Sequence, residues 1–144
     1  MAYSLRPMRL TRPLTLLCVP LLALGVASCS SATSSSSFKG EQHAVAQAIS
    51  NLQSEATAGE AQKICKNLLA SAVTARLNAA HGGCTQALKN QLAEVDSPEL
   101  TIQSVQLHGA SASAQVKSIS AGKSRVGTLT LVKEGGKWKI SGLG

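Results

Sequence analysis

The amino-acid sequence predicts an α+β domain in which three N-terminal helices pack on one face of a curved antiparallel sheet of about four strands. Three patterns support this prediction. Apolar residues recur every three or four positions between residues 45 and 92, as on one face of a helix. After Pro98 apolar and polar residues alternate, as they do in strands. A basic, then apolar, then serine-rich segment precedes both, so the domain is expected to span residues 40–144.

The first segment has the arrangement of a secretory signal peptide. Basic residues occur up to Arg12, and an almost entirely apolar run extends from Leu14 to Val26. This run is shorter than the stretch of about 20 apolar residues that a helix needs to span a bilayer. Its length instead suits the apolar core of a signal peptide.

A four-residue motif, Val26-Ala27-Ser28-Cys29, closes this segment. It resembles the lipobox of bacterial lipoproteins, in which an aliphatic residue and two small residues precede the cysteine that receives lipid. The resemblance implies that residues 1–28 are a lipoprotein signal peptide, which is removed, and that Cys29 is lipidated. The protein would then be held by lipid on the extracytoplasmic face of the cell membrane. Ordinary cleavage after Ser28, without lipidation, is the alternative.

The residues after Cys29 are predicted to form a flexible tether. Residues 30–37 are all serine, alanine or threonine, and such a composition cannot bury a hydrophobic core. We therefore expect residues 29–39 to comprise the lipidated cysteine and a serine-rich linker. Removal of the leader takes away three of the 14 basic residues and none of the seven acidic ones, which leaves a net charge of +4.

Three amphipathic helices are predicted after the tether. The first begins near Gly40 and ends at Gly59, the second continues to about Leu77, and the third ends at a stop formed by residues 96–98. Apolar residues at three- and four-residue spacing lie on one face of each helix. In helix order they are Val45, Ala48, Ile49, Leu52 and Ala56; Ala61, Ile64, Cys65, Leu68, Leu69 and Ala72; and Cys84, Leu88 and Leu92.

Four strands are predicted after the helices. The first covers residues 100–107, and in residues 110–117 alanine or valine alternates with polar residues. The third strand covers about Arg125 to Lys133, and the last places Trp138 and Ile140 inward. Turns are predicted at His108-Gly109 and at Gly135-Gly136, because glycine supplies the backbone freedom that tight hairpins need.

Three local patterns accompany this order of elements. Cys65 is followed by Leu68-Leu69, Cys84 follows a glycine pair, and residues 129–140 read Leu-Thr-Leu-Val-Lys-Glu-Gly-Gly-Lys-Trp-Lys-Ile. From about Glu41 to Gly144 the chain resembles a group of small actinobacterial lipoproteins with a nuclear-transport-factor-two-like domain. The resemblance implies a cone-shaped, cystatin-like fold in which helices cover a curved sheet. It implies no activity, because this fold occurs in enzymes, ligand binders and adaptors alike.

The cysteines predict one disulfide bond. Cys18 would leave with the signal peptide and Cys29 would carry lipid, so Cys65 and Cys84 remain as an even pair in an exported domain. Closing a loop of about 19 residues would stabilise the fold by roughly 3 kcal/mol. Two buried free thiols, or a metal site that recruits His81, are the alternatives.

Catalysis is not expected. The mature chain has no tyrosine, its one aspartate, Asp96, belongs to a helix stop, and none of its three histidines is predicted to face inward. General acid–base catalysis needs positioned groups with tuned pKa values, and no such pair is visible. We accordingly expect no cofactor and no metal. Nucleic acid is not an expected partner either, because no stacking aromatics are set among the basic residues.

Two surfaces are candidates for binding. A pocket inside the cone could be lined by small side chains and a tryptophan: Ala110, Ala112, Ala114 and Trp138. The alternative is that the alanines let a helix approach and that the tryptophan is a core residue. A basic surface in the last strands would comprise Lys123, Arg125, Lys133, Lys137 and Lys139. It would face anionic lipid or an acidic envelope polymer, or it would be a solvated face that discourages edge pairing.

These patterns together predict a membrane-anchored extracytoplasmic lipoprotein whose domain binds or scaffolds a partner without catalysis. The partner would be reached from the membrane and would be a protein, an anionic lipid or an envelope polymer. A carrier of a small apolar or lipidic ligand, held between sheet and helices, is the alternative function. An enzyme of the same fold is the third.

Overall fold

The computed structural model describes residues 35–79, 82–95 and 99–143. A four-stranded antiparallel sheet has the order β1-β2-β3-β4, so each strand pairs with the next one along the chain. Two-residue turns join the strands, as in tight hairpins. The strands are β1 (Glu99–His108), β2 (Ser111–Ser120), β3 (Lys123–Glu134) and β4 (Lys137–Leu143). The predicted α+β class and the four predicted strands are confirmed.

The longest helix, α1 (Gly40–Thr57), contacts both edge strands of the sheet, β1 and β4. The predicted apolar residues Val45, Ala48 and Ile49 are buried, and Leu52 packs beside them. Together with Ala46 they cover the inward face of the sheet, whose buried residues are Ile102, Val105, Ala112, Ala114, Val116, Leu129, Leu131, Trp138 and Ile140. None of the described helices combines the length and the apolar character needed to cross a membrane.

The prediction of one continuous second helix is wrong. A short helix, α2 (Ala61–Lys63), runs into a π-helical turn (Ile64–Leu68), and the chain is extended before α3 (Ser71–Asn78) begins. At this break the backbone N–H of Ala70 donates to the carbonyl of Ile140 at 2.8 Å, and Leu69 forms a parallel bridge with the same residue. Backbone groups that a continuous helix would have paired internally are thus hydrogen-bonded to the edge of β4 instead.

The same segment covers the free edge of β4. The carboxylate of Glu134 accepts hydrogen bonds from the backbone N–H of Ser71, at 3.1 and 3.2 Å, and from its hydroxyl at 2.9 Å. This contact satisfies the first N–H of α3 and places negative charge at the positive end of that helix. The ammonium of Lys139 donates to the carbonyl of Asn67 in the π-helical turn. The third predicted helix is present as α4 (Gly83–Ala93), and its predicted stop at residues 96–98 lies outside the described residues.

The folded part begins before the predicted boundary at residue 40. Ser35–Ser37 form a 3-10 turn, and Phe38 packs against the core. The Nδ1 atom of His43 lies 2.8 Å from the carbonyl oxygen of Ser35, which joins the turn to α1. Residues 35–39 therefore belong to the domain and not to a flexible linker. Residues 1–34, with the predicted signal peptide, Cys29 and the start of the linker, lie outside the described residues.

Candidate binding groove

A groove of about 480 Å³ lies between α1, the π-helical turn and the β3–β4 hairpin. We call it the amide groove, because three of its side chains are amides. It is lined by His43, Ala44, Gln47, Ala48, Asn51, Asn67, Leu68, Gly136, Lys137 and Trp138. Its volume falls within the range of roughly 300–1,000 Å³ that is usual for small-molecule sites.

One side of the amide groove is a row of polar residues on α1. His43, Gln47 and Asn51 are spaced four residues apart, so they lie one above another along the helix. The amide nitrogen of Gln47 donates to the amide oxygen of Asn51 at 3.0 Å. The row is exposed and adjoins the buried stripe that holds Ala48. The four-residue spacing is visible in the sequence, but the two predicted binding surfaces do not include these residues.

Asn67 forms the opposite wall, where the π-helical turn places it. The turn is held at one end by the predicted disulfide, which the structure contains between Cys65 and Cys84, both buried, with Cα atoms 6.1 Å apart. Lys139 holds it at the other end through the Asn67 carbonyl. The side chain of Asn67 is exposed and has no hydrogen-bond partner among the described residues. No local signal in the sequence could have placed it opposite α1.

Trp138 lies at the base of the amide groove and is 6% exposed. Its indole N–H donates to one carboxylate oxygen of Glu41 at 2.8 Å, and Lys133 donates to the other, also at 2.8 Å. The Lys133 ammonium is in addition 5.8 Å from the centre of the Trp138 ring. The hydrogen bond from Lys133, and after it the one from Trp138, lowers the pKa of the Glu41 carboxyl. These contacts fix the ring and occupy both oxygens of Glu41.

Lys137 supplies the positive charge of the amide groove. It is exposed at the start of β4, directly after the Gly135-Gly136 turn, where both glycines have the positive φ that the hairpin requires. Its ammonium has no salt-bridge or hydrogen-bond partner in the part of the chain that the structure describes. Among the described residues, no carboxylate lines the groove.

The predicted pocket residues separate into three environments. Ala112 and Ala114 are buried in the core beneath α1, in one cluster with Val45 and Ile49. Ala110 is exposed, and the prediction that it faces inward is wrong. The reason is that the β1–β2 turn consists of Gly109 and Ala110, one residue later than predicted. Ala110 instead contributes its carbonyl, which accepts the backbone N–H of Lys133 at 2.8 Å. Trp138 lines the amide groove.

The predicted basic residues do not form one surface. Lys123 and Arg125 lie next to the β2–β3 turn. Lys133 is ten residues from Lys123 along the same strand, which is about 33 Å at 3.3 Å per residue. Lys133 is engaged by Glu41, and Lys139 by Asn67. Lys137 is thus the predicted basic residue that the structure brings into the groove.

No group of three or more metal-binding side chains capable of holding an ion occurs among the described residues. His81, the histidine considered as a ligand beside the cysteines, lies outside them. The sulfur atoms of Cys65 and Cys84 are joined to each other, so neither is a free thiolate.

No protein-family model matches the chain, and no curated protein matches it. Similar solved structures include the crystal structure of an NTF2-like protein of unknown function from Shewanella baltica OS155, with 16% identity and a TM-score of 0.49. The match covers 72% of this chain and 90% of that chain. A second, Rd1NTF2_05 with five substitutions, has 15% identity, a TM-score of 0.50 and coverage of 72% and 97%. At this identity the second match, with the layers described above, shows an NTF2-like (nuclear-transport-factor-two-like) fold.

Proposed function

We propose that the protein is a membrane-anchored extracytoplasmic lipoprotein whose NTF2-like domain binds a ligand in the amide groove without catalysis. The observation that carries this proposal is the convergence of polar side chains from three elements on one groove. The side chains of Asn67 and Lys137 have no hydrogen-bond partner within the described residues, so their hydrogen-bonding capacity is available to a ligand. A concave site with a few convergent polar groups is the usual form of a small-molecule site.

Two features support the anchoring. The motif that ends in Cys29 has the residue types of a lipobox, and the Cys65–Cys84 disulfide suits an oxidising, extracytoplasmic compartment. A third feature concerns distance. Five residues lie between Cys29 and Ser35, and the six Cα–Cα steps from one to the other span at most about 20–22 Å when fully extended. Since Ser35 contacts His43 in the amide groove, the groove would be held close to the membrane.

The burial pattern supports a non-catalytic role. Among the described residues no polar or charged residue is buried. Catalytic acids and bases usually have pKa values tuned by burial and neighbouring charges. Of the described groups, Lys63 has a raised pKa through its hydrogen bond to Glu60 and the charge of Glu55, and Glu41 has the lowered one described above. Both groups belong to ion pairs on the surface.

The alternative of an apolar ligand inside the cone has less support, because Ala112 and Ala114 pack beneath α1.

Metabolic labelling tests the anchor. The full-length protein and its Cys29→Ala variant would be produced with radiolabelled palmitate in a bacterium that processes lipoproteins. We expect label and membrane association for the natural sequence, and loss of the label together with retention of the 28-residue leader for Cys29→Ala. Cys18→Ala is the matched control and should keep the label, because Cys18 would leave with the leader. An unlabelled, released protein that begins at Cys29 would show ordinary cleavage and overturn the proposal.

A further inference from the structure

We propose that the amide groove binds an acidic saccharide, that is, a hydroxyl-rich ring that carries a carboxylate. The inference rests on the proposed function, since it names the ligand class of the same groove. Four properties of the lining lead to it: its charge, its amides, its apolar patch and its single tryptophan.

The charge of the lining favours a ring that carries one carboxylate, as each unit of an acidic oligosaccharide does. The lining contains one lysine, Lys137, and no aspartate or glutamate. The nearby Glu41 does not offset this charge, because both its oxygens are engaged by Lys133 and Trp138. A single ammonium matches the single charge of a carboxylate. A phosphate monoester, with about −1.5 to −2 charges at pH 7, would leave part of its charge uncompensated.

The amides favour hydroxyl groups as the remainder of the ligand. Each amide has two N–H donors and a carbonyl acceptor, and each hydroxyl both donates and accepts, so the two kinds of group pair in either direction. Only one N–H of Gln47 and one lone pair of Asn51 are used, in the bond between them. The side-chain amide of Asn67 has no hydrogen-bond partner among the described residues. At His43 the Nδ1 atom must donate to the Ser35 carbonyl, because a carbonyl oxygen can only accept.

The apolar residues of the lining are set among polar ones and form no continuous apolar wall, which argues against an acyl chain. Ala44, Ala48, Leu68 and the buried Trp138 are interspersed with the polar residues. They suit the C–H groups of a sugar ring, whereas a lipid chain needs a continuous apolar wall. The walls are also held in place, Asn67 by Lys139 and Trp138 by Glu41. A preorganised site loses less conformational entropy when it binds.

Trp138 makes the inference directly measurable. It is the single tryptophan of the chain, so intrinsic tryptophan fluorescence reports from the base of the amide groove alone. The full-length protein in detergent would be titrated with tetragalacturonate, an acidic oligosaccharide, and with neutral maltotetraose. We expect a saturable fluorescence change with tetragalacturonate and binding at least about tenfold weaker for maltotetraose, which corresponds to about 1.4 kcal/mol.

Two lysine variants form the matched control pair. Lys137→Ala should weaken tetragalacturonate binding by about tenfold, the loss expected for one charge-assisted hydrogen bond. Lys123→Ala should leave it unchanged, because Lys123 is equally exposed but lies beside the β2–β3 turn at the other end of β3. Asn67→Ala should weaken binding of both saccharides. Isothermal titration calorimetry of the same variants would confirm that the fluorescence change measures binding.

Three outcomes would overturn the inference. Equal affinity for the two oligosaccharides, unaffected by Lys137→Ala, would show that the groove does not recognise an acidic group. Displacement of tetragalacturonate by inorganic phosphate at lower concentration than by galacturonate would assign the groove to a phosphorylated ligand. Absence of any saturable signal in fluorescence and calorimetry would exclude a saccharide as the ligand of the groove. The palmitate experiment is independent of all three, so a failure of the ligand class is distinguishable from a failure of the anchor.

Discussion

Among the described residues, Ala121 is the only non-glycine residue with a positive φ. Its φ of 49° and the φ of 72° at Gly122 place both central residues of the β2–β3 turn in the left-handed region, as a two-residue hairpin requires. Glycine adopts this conformation without steric cost, and asparagine tolerates it. For alanine the Cβ atom adds roughly 1–2 kcal/mol. The turn therefore has one well-suited residue and one strained residue.

Ala121→Asn should stabilise the protein by about 1 kcal/mol, because asparagine followed by glycine is the preferred pair in this type of turn. Gly122→Ala should destabilise it by a similar amount or more, since it adds the same strain at the neighbouring position. Urea unfolding followed by Trp138 fluorescence would measure both changes. Equal midpoints for all three proteins would show that the turn relaxes and that the strain is not retained in solution.

The residues of the amide groove differ in how far the sequence could predict them. The inward orientation of Trp138 follows from strand alternation and is confirmed by its burial. The partner of its N–H, Glu41, is 97 positions away, and no local pattern connects the two. Asn67 and Lys137 become neighbours of α1 only through the tertiary arrangement of the π-helical turn and the last hairpin. Local periodicity identifies faces of elements, whereas a groove between elements depends on their packing.

The same limit explains the error in the second helix. Apolar residues keep helical spacing through Leu68 and Leu69, so periodicity alone predicts that the helix continues. In the structure, Leu69 and Ala70 instead pair with Ile140 at the edge of β4, so that this edge has a backbone partner and is covered. A tertiary requirement thus overrode local propensity. The strands were predicted within a few residues, because alternation and glycine turns are local signals.

The disulfide is the covalent connection between the π-helical turn and α4, two elements outside the main core cluster. The double variant Cys65→Ala, Cys84→Ala should lower the free energy of unfolding by about 3 kcal/mol, as expected for opening a loop of 19 residues. Urea unfolding of the two proteins, each with and without reductant, would measure this. Reductant should shift the natural protein toward the variant and leave the variant unchanged. Coincident curves in all four samples would contradict a stabilising role for the bond.

At the scale of the whole molecule, the basic charge of the domain and the proposed lipid anchor lead to different predictions about how the domain is held at the membrane. The five predicted basic residues lie at two ends of the sheet, and two of them, Lys133 and Lys139, are engaged by other groups. In the proposed mature chain, a net excess of +4 spread in this way would give weak attraction to anionic lipid at physiological salt, where the Debye length is about 8 Å. With Cys29 lipidated as proposed, the five residues between Cys29 and Ser35 would constrain the domain more strongly. The length of the tether should therefore set the distance of the amide groove from the membrane.

Energy transfer from Trp138 to a dansyl-labelled lipid measures this distance, because the protein has one tryptophan. The mature lipidated protein in vesicles should show transfer, and insertion of 12 Gly/Ser residues after Ser34 should reduce it, since a flexible insert of that length has an average end-to-end reach of about 17–21 Å of its own. The reduction should be the same in neutral and anionic vesicles. Replacing Ser31 to Ser34 by an equal number of glycines is the control and should leave transfer unchanged. Undiminished transfer from the lengthened protein in anionic vesicles alone would show that basic residues hold the domain at the surface.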